Sequence, residues 1–220
     1  MNPAARLLLL GAASLTALGL MLPGGASRSP HTTPDEAAEL TIYCAASLRL
    51  PVEQIAQAYE RECGVKPRIH YGGSNTLLSQ IEVSRTGDLY LAADESFLRF
   101  GEQKGLVAEV SVLGQMRAVL AVPRGNPLAI ASLDDLQTRR VAAGNPDQTA
   151  IGRTLCNQLQ ASGSWKPLER RVREAGVFKP TVNEVANDIL LGSVDAGVVW
   201  DAIASQYPEI DIVEVPELQS

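Results

Sequence analysis

From residue 40 onward, short apolar runs alternate with longer amphipathic stretches. Strands are predicted over residues 40–45, 66–71 and 88–92. Helical patterns follow these strands and begin at Ser47, Ser74 and Glu95. This alternation predicts a mainly parallel sheet with helices packed on its faces.

The same alternation starts again after residue 122. Further strands are predicted over residues 116–122, 140–143, 196–200 and 210–215. Further helices are predicted over residues 133–136, 150–162, 182–191 and 202–207. The restart indicates a second α/β lobe, so the sequence predicts an α/β fold with two lobes and a cleft between them.

The N-terminus carries a different hydrophobic pattern. Arg6 precedes a nearly unbroken apolar run over residues 7–22, which is shorter than the roughly 20 residues of a membrane-spanning helix. Small residues end the run, so residues 1–26 are predicted to be a cleaved signal peptide, with an uncleaved anchor as the alternative. Residues 27–39 are polar and contain two prolines, which predicts a disordered tether. Such a leader predicts export to the periplasm.

Composition and charge exclude some partners. Hydrophobic residues make up 45% of the chain and charged residues 20%, which is typical of a soluble protein. The net charge of −6 and the aromatic content of 5% both argue against nucleic acid, which recruits basic surfaces and aromatic stacking platforms. An acidic protein that binds an anion must therefore use neutral donors and helix N-termini.

Residues suited to catalysis or metal binding are sparse. The two histidines are His31, in the predicted tether, and His70, in a predicted strand. Asp94 and Glu95 fit helix capping better than metal binding. The sequence also lacks the motifs of serine hydrolases, P-loop proteins and zinc proteases. We therefore predict no catalytic residues, no metal site and no cofactor.

The three cysteines leave at least one thiol unpaired. Cys44 ends a predicted strand and Cys63 ends the following helix, which separates them by ~20 Å. A disulfide needs Cα atoms within roughly 7 Å, so this pair is not expected to form one. Cys156 lies in another predicted helix, and all three thiols are expected to be buried as small apolar groups.

Three strand-to-helix turns share small and hydroxyl residues. They are Ala45-Ala46-Ser47-Leu48, Gly72-Gly73-Ser74-Asn75 and the stretch from Gly144 to Ala150. In a parallel α/β sheet, such turns gather at the carboxyl edge of the strands, where ligands bind. Helix N-termini there present free N–H groups, and serine and threonine add hydroxyl donors. Together the turns predict a neutral cage for an anion.

Residues 40–215 resemble the periplasmic molybdate-binding proteins of ABC transporters. The motifs that carry the resemblance are Ala45-Ala46-Ser47-Leu48, Gly73-Ser74-Asn75-Thr76-Leu77, Gly87-Asp88-Leu89-Tyr90-Leu91-Ala92-Ala93-Asp94, Gly144-Asn145-Pro146 with Gly152, and Ala196-Gly197-Val198-Val199-Trp200. The resemblance implies a periplasmic-binding-protein-like fold. Its first lobe would span residues 40–113, with residues 205–220 returning to it, and its second lobe residues 114–204.

The resemblance also implies a ligand and its site. The ligand would be molybdate or tungstate, delivered by a monomer to ABC permease and ATPase subunits. Ser47 and Ser74 align with the serines that bind the oxyanion, and Ile151 and Val182 align with backbone N–H donors. Trp200 stands where the family has a tyrosine that donates to the ligand, and Arg49 stands where a small polar residue is expected. The sequence also ends before the point where the family's last strand and helix are expected. Either the first lobe is shorter than in the family, or the sequence is a fragment.

Two other interpretations stay open. The same fold could bind another small anion or ferric ion, although iron prefers clustered tyrosine, histidine and carboxylate ligands. A serine-dependent enzyme would use Ser47 or Ser74 as its nucleophile, but neither histidine is placed to act as the base.

Overall fold

The structure, a computed structural model, describes residues 39–219. The predicted signal peptide and nearly all of the predicted tether lie outside the described residues. The first sheet contains β1 (Thr41–Ala45), β2 (Arg68–Gly72) and β3 (Leu89–Leu91). The strand order is β2-β1-β3, and both pairings are parallel. Three helices connect and follow these strands, α1 (Arg49–Cys63), α2 (Ser74–Ser84) and α3 (Glu95–Gln103).

The second sheet contains β4 (Ala118–Pro123), β5 (Val141–Gly144), β6 (Val177–Lys179), β7 (Ala196–Trp200) and β8 (Ile210–Val213). The order is β6-β5-β7-β4-β8, with β6, β5 and β7 parallel and β4 antiparallel to both of its neighbours. The associated helices are α4 (Ala150–Ser162), α5 (Trp165–Ala175), α6 (Val182–Leu190) and α7 (Asp201–Ala204). We refer to the first sheet with α1–α3 as the first lobe, and to the second sheet with α4–α7 as the second lobe.

The larger hydrophobic core belongs to the second lobe. Strands β5 and β7 are buried at every position because helices cover both faces of the central sheet. Phe97, on α3 of the first lobe, is fully buried and packs into this same cluster. The first lobe has a small core of its own around Ile42, Cys44 and Val52. The two lobes are therefore packed against each other as well as connected by the chain.

The C-terminal segment corrects one expectation. Residues 205–220 were expected to return to the first lobe, but β8 pairs antiparallel with β4 of the second sheet. Val215 and Leu218, which follow β8, are buried in the second-lobe core. Only a few residues connect α7 to β8. Because so short a connection keeps β8 close to the second sheet, β8 pairs with the free edge of β4.

The cysteines differ in burial. Cys44, Cys63 and Cys156 are all free thiols, respectively buried, exposed and intermediate. Burial raises the pKa of the Cys44 thiol to about 12. The prediction that all three are buried holds for Cys44, is wrong for Cys63, which is exposed at the end of α1, and holds only in part for Cys156. Among residues 39–219, no helix combines the length and apolar character needed to cross a membrane.

Candidate functional site

A small cavity lies where the two lobes meet. It is lined by Ala45, Ala46, Ser47, Gly72, Gly73, Ser74 and Ala93 from the first lobe, and by Thr149, Ala150, Ile151, Thr181, Val182 and Trp200 from the second. The structure thus brings all five residues predicted from the sequence to one place. They come together because parallel strands β1, β2, β5 and β6 end at this edge and helices start there.

Two serine hydroxyls are available to a ligand. Ser47 lies in the 3₁₀ turn Ala46–Leu48 that follows β1, and only 4% of its surface is exposed. Within the described residues, its Oγ is buried and makes no hydrogen bond. Ser74, the first residue of α2, accepts a hydrogen bond at Oγ from the Ala93 N–H at 3.2 Å, which leaves its own proton to donate. A buried hydroxyl without a partner costs about 1–3 kcal/mol, and the Ser47 hydroxyl is free to bond to a group that enters the cavity.

Backbone donors come from the second lobe. Ala150 and Ile151 open α4, and Val182 opens α6, so their N–H groups have no acceptor within the helix. Thr149 caps α4 by accepting from the Gly152 N–H at 3.0 Å, and Thr181 caps α6 by accepting from the Glu184 N–H at 3.3 Å. Each threonine bonds the third N–H group of its helix. The earlier N–H groups stay available at the cavity, where the helix dipole favours negative charge.

The threonine hydroxyls themselves are already engaged. Thr149 Oγ1 donates to the Asn145 carbonyl at 3.0 Å, and Thr181 Oγ1 donates to Glu184 Oε1 at 2.9 Å. The sequence placed Thr149 in a candidate turn but gave it a donor role, and it missed Thr181, although Thr181 and Glu184 have the spacing of a capping box. Both threonines act on the cavity by fixing the helix ends and not by donating their own protons to it.

Trp200 closes one side of the cavity. It ends β7, is 3% exposed and pairs in register with Ala118 of β4. Its indole N–H can donate a hydrogen bond but cannot accept one or ionise. The structure therefore places it where the resemblance expects a donor, with a bulkier side chain than tyrosine.

The cavity wall is electrically neutral. Among the described residues that line it, none has an ionisable side chain. Arg49 lies outside this lining, with its guanidinium carbon 4.2 Å from the centre of the Tyr71 ring and a guanidinium nitrogen 3.7 Å from the Glu53 carboxylate. His70 stacks on Tyr43 at 5.0 Å and does not line the cavity. The described part of the chain also contains no cluster of three His, Cys, Asp or Glu residues able to hold a metal.

Tyr90 supports the first-lobe side of the site. Its hydroxyl donates to the Ser74 carbonyl at 2.7 Å and so holds the start of α2 in place. Burial, with a smaller contribution from Asp94, raises the pKa of Tyr90, so the phenol stays protonated and remains a donor. Sequence reasoning did not find this role, because nothing in the pattern indicates which buried tyrosine reaches a helix end.

Two α/β lobes that meet at a neutral cavity lined by helix N-termini are the arrangement of a solute-binding protein. The model of one family, described as bacterial extracellular solute-binding protein, matches residues 40–220. The chain belongs to this family, whose members bind solutes outside the cytoplasm.

Individual relatives agree with this assignment. A binding protein of Haemophilus influenzae is 30% identical, over 74% of this chain and 66% of its own length. The molybdate-binding protein ModA of Escherichia coli is 26% identical, over 81% of this chain and 72% of its own. This chain thus spans about two thirds to three quarters of the length of these relatives. The resemblance to the molybdate-binding proteins is confirmed.

A solved structure supports the fold. The substrate-binding domain of a molybdenum ABC transporter from Clostridium difficile superimposes with a TM-score of 0.53 at 25% identity, covering 80% of this chain and 77% of that one. The predicted α/β fold with two lobes of the periplasmic-binding type is confirmed.

Proposed function

We propose that this protein captures a tetrahedral oxyanion, molybdate or tungstate, between its lobes. The observation that supports the proposal most directly is the buried Ser47 hydroxyl, which lacks a partner among the described residues and lines the cavity. Ser74 adds a second hydroxyl, and the starts of α4 and α6 add backbone N–H groups. Together they surround one position with neutral donors, which suits an anion.

The neutral lining of the cavity favours one ionisation state of the ligand over another. A partly protonated anion such as phosphate near neutral pH needs an acceptor for its proton, usually a carboxylate. The lining offers no carboxylate, so a fully ionised dianion is favoured. Ferric ion is disfavoured for the complementary reason, because the same lining offers no tyrosine, histidine or carboxylate to ligate it.

The size of the cavity also favours a compact ligand. Its volume is about 20 Å³, and a single water needs roughly 10–15 Å³ on a comparable scale. With the lobes in this arrangement, the cavity is too small for a sugar phosphate, so a compact anion is favoured. The same wall argues against the alternative of a serine enzyme, since Ser47 faces no base within it.

The partners follow from the proposed function. A periplasmic binding protein hands its ligand to an ABC permease driven by ATPase subunits, and the Clostridium difficile domain is named as part of such a transporter. We propose the same partners here, with the protein acting as a periplasmic monomer released by cleavage of the segment 1–26. The monomer and the cleavage are both open to direct measurement by light scattering and N-terminal sequencing of the exported protein.

The test is a thermal-shift and calorimetric titration with molybdate, tungstate, sulfate and phosphate. Molybdate or tungstate should raise the melting temperature most, because a ligand that binds only the native state stabilises it. Absence of a shift with all four anions would contradict the proposal.

Serine variants test the site itself. Ser47→Ala and Ser74→Ala should each weaken oxyanion binding by roughly 1–3 kcal/mol, because an anion oxygen loses a donor in a cavity shielded from water. Ser47→Ala should leave the anion-free protein at least as stable, since its hydroxyl makes no hydrogen bond to the described residues. Ser79→Ala, on the exposed side of α2, is the matched control. Affinity at the wild-type level in both variants would mean that these serines only shape the turns.

A further inference from the structure

The turn Gly73–Asn75 carries the first-lobe donor Ser74 between two residues that touch the second lobe. The Asn75 N–H donates to the Gln148 carbonyl at 3.1 Å, and its side-chain Nδ2 donates to the Asp147 carbonyl at 2.7 Å. One residue therefore makes two hydrogen bonds across the cleft, both to backbone oxygens. These bonds exist only while the lobes are in contact.

Gly73 makes the closest approach between the lobes. A Cβ atom added there would overlap the Gln148 carbonyl oxygen and lie 2.9 Å from that of Pro180. The three nearest atoms to that position all belong to the second lobe. The backbone of Gly73 has φ −70° and ψ 144°, which any residue adopts without strain. The lack of a side chain is thus required by the neighbouring lobe and not by the turn.

The carbonyls that this turn touches stand next to the second-lobe donors. Gln148 precedes Thr149, the cap of α4, and Pro180 precedes Thr181, the cap of α6. The turn therefore packs onto the two segments that aim the α4 and α6 N–H groups at the cavity. Contact between the lobes and completion of the anion cage depend on the same few atoms.

We propose that the Gly73–Asn75 turn is a positioning element that holds the lobes closed over the bound anion and so sets how slowly the anion leaves. The proposal rests on the proposed function for the identity of the ligand. Gly73 allows the approach, Asn75 supplies the two hydrogen bonds, and Ser74 between them contacts the ligand. A second contact between the lobes, from Thr154 Oγ1 to Asp94 Oδ2 at 3.3 Å, remains when this turn is altered.

The experiment measures release of molybdate by stopped-flow fluorescence for the wild type, Gly73→Ala and Asn75→Ala. Gly73→Ala should release the anion at least tenfold faster, and Asn75→Ala about three- to tenfold faster. Thr76→Ala, an exposed neighbour on α2, and Gly114→Ala, whose added methyl group meets open space, are the controls and should release at the wild-type rate. Release at the wild-type rate from both Gly73→Ala and Asn75→Ala would overturn the proposal.

Small-angle X-ray scattering separates this proposal from the proposed function. Without any anion, Gly73→Ala should have a larger radius of gyration than the wild type, because the added methyl group keeps the lobes apart. With saturating molybdate, the wild type should be compact and Gly73→Ala should stay expanded. If the wild type binds none of the tested oxyanions, the proposed function fails, while the anion-free comparison still decides the role of the turn. Equal radii for the two anion-free proteins would overturn it.

Discussion

A hydroxyl group that leaves water without gaining a partner destabilises the fold, and the Ser47 hydroxyl is in that position within the described residues. Thr149 and Thr181 line the same cavity, but their hydroxyls both accept and donate within the protein. The difference lies in the partners and not in the residue type. At the scale of single residues, Ser47 differs from the two helix caps because its hydroxyl, unpaired among the described residues, is free to bond to a group that enters the cavity.

Trp200 gives the residue-scale prediction. We expect its indole N–H to donate to the anion, so Trp200→Phe should weaken binding about 10- to 100-fold, the range of one hydrogen bond to a charged group. Trp165 is the other tryptophan, and it packs in the second-lobe core 6.4 Å from the Phe178 ring. Molybdate should therefore change the emission of a Trp165→Phe variant, in which only Trp200 fluoresces. Unchanged emission at saturation, together with normal binding by Trp200→Phe, would assign Trp200 to packing alone.

At the scale of elements, most helices and strands were predictable, and the exceptions were one helix and one short strand. Helix α4 has the predicted bounds because Thr149 and Gly163 mark its ends and its apolar residues repeat at helical spacing. Helix α5 was missed, although Trp165, Leu168 and Val172 have helical spacing and its proline lies in the first turn, where it is tolerated. The three-residue strand β6 is too short to show a period of two.

Helix α1 shows a second limit of the pattern. Val52, Ile55 and Tyr59 share a helical face, but only Val52 is buried, and Ile55 is 67% exposed. Periodicity places side chains on one side of a helix and does not show what lies opposite. Among the described residues of this face, Val52 is the one that packs into the core of the first lobe.

An ion pair between the residues that immediately precede β5 and β7 gives the element-scale prediction. The Asp195 carboxylate accepts from the Arg140 N–H at 2.8 Å and from Arg140 Nη2 at 2.6 Å. The Arg140 side chain, and then its backbone N–H, lower the pKa of Asp195. A carboxylate whose pKa is lower in the folded state stabilises the fold above its unfolded pKa of about 3.9, and this stabilisation is lost as the pH falls through the folded value.

Asp195→Asn should therefore reduce the free energy of unfolding at pH 7 by roughly 1–2 kcal/mol. The difference from the wild type should shrink as the pH falls below about 4, because the carboxyl is protonated first in the unfolded wild type and, at lower pH, in the folded one. Urea unfolding at several pH values measures it, with the exposed Asp134→Asn as control. A deficit that stays constant down to pH 3 would mean that the amide disturbs packing and that the charge is unimportant.

At the scale of the whole molecule, the sequence predicted the two-lobed fold and the meeting of Ser47, Ser74, Ile151, Val182 and Trp200. Both follow from the rule that parallel strands place their following turns at one edge. The sequence did not predict that residues 205–220 stay with the second lobe, because an apolar strand can pair with any open edge. It also gave no sign that Gly73 and Asn75 join the lobes, since contacts between lobes have no periodicity.

The overall charge gives the last prediction. The protein carries a net charge of −6, and the cavity wall adds no formal positive charge. The long-range field therefore repels a dianion, while affinity comes from donors that act only at contact.

Raising the ionic strength with sodium chloride from 0.01 M to 0.15 M shortens the Debye length from about 30 Å to about 8 Å and screens the repulsion. The association rate of molybdate should rise by about two- to fivefold, and its dissociation rate should change little because the closed site excludes salt. Stopped-flow measurements test this, with Arg49→Ala as a control for local attraction near the cleft. An association rate that falls with salt in the wild type, and no longer does so in Arg49→Ala, would show instead that Arg49 steers the anion inward.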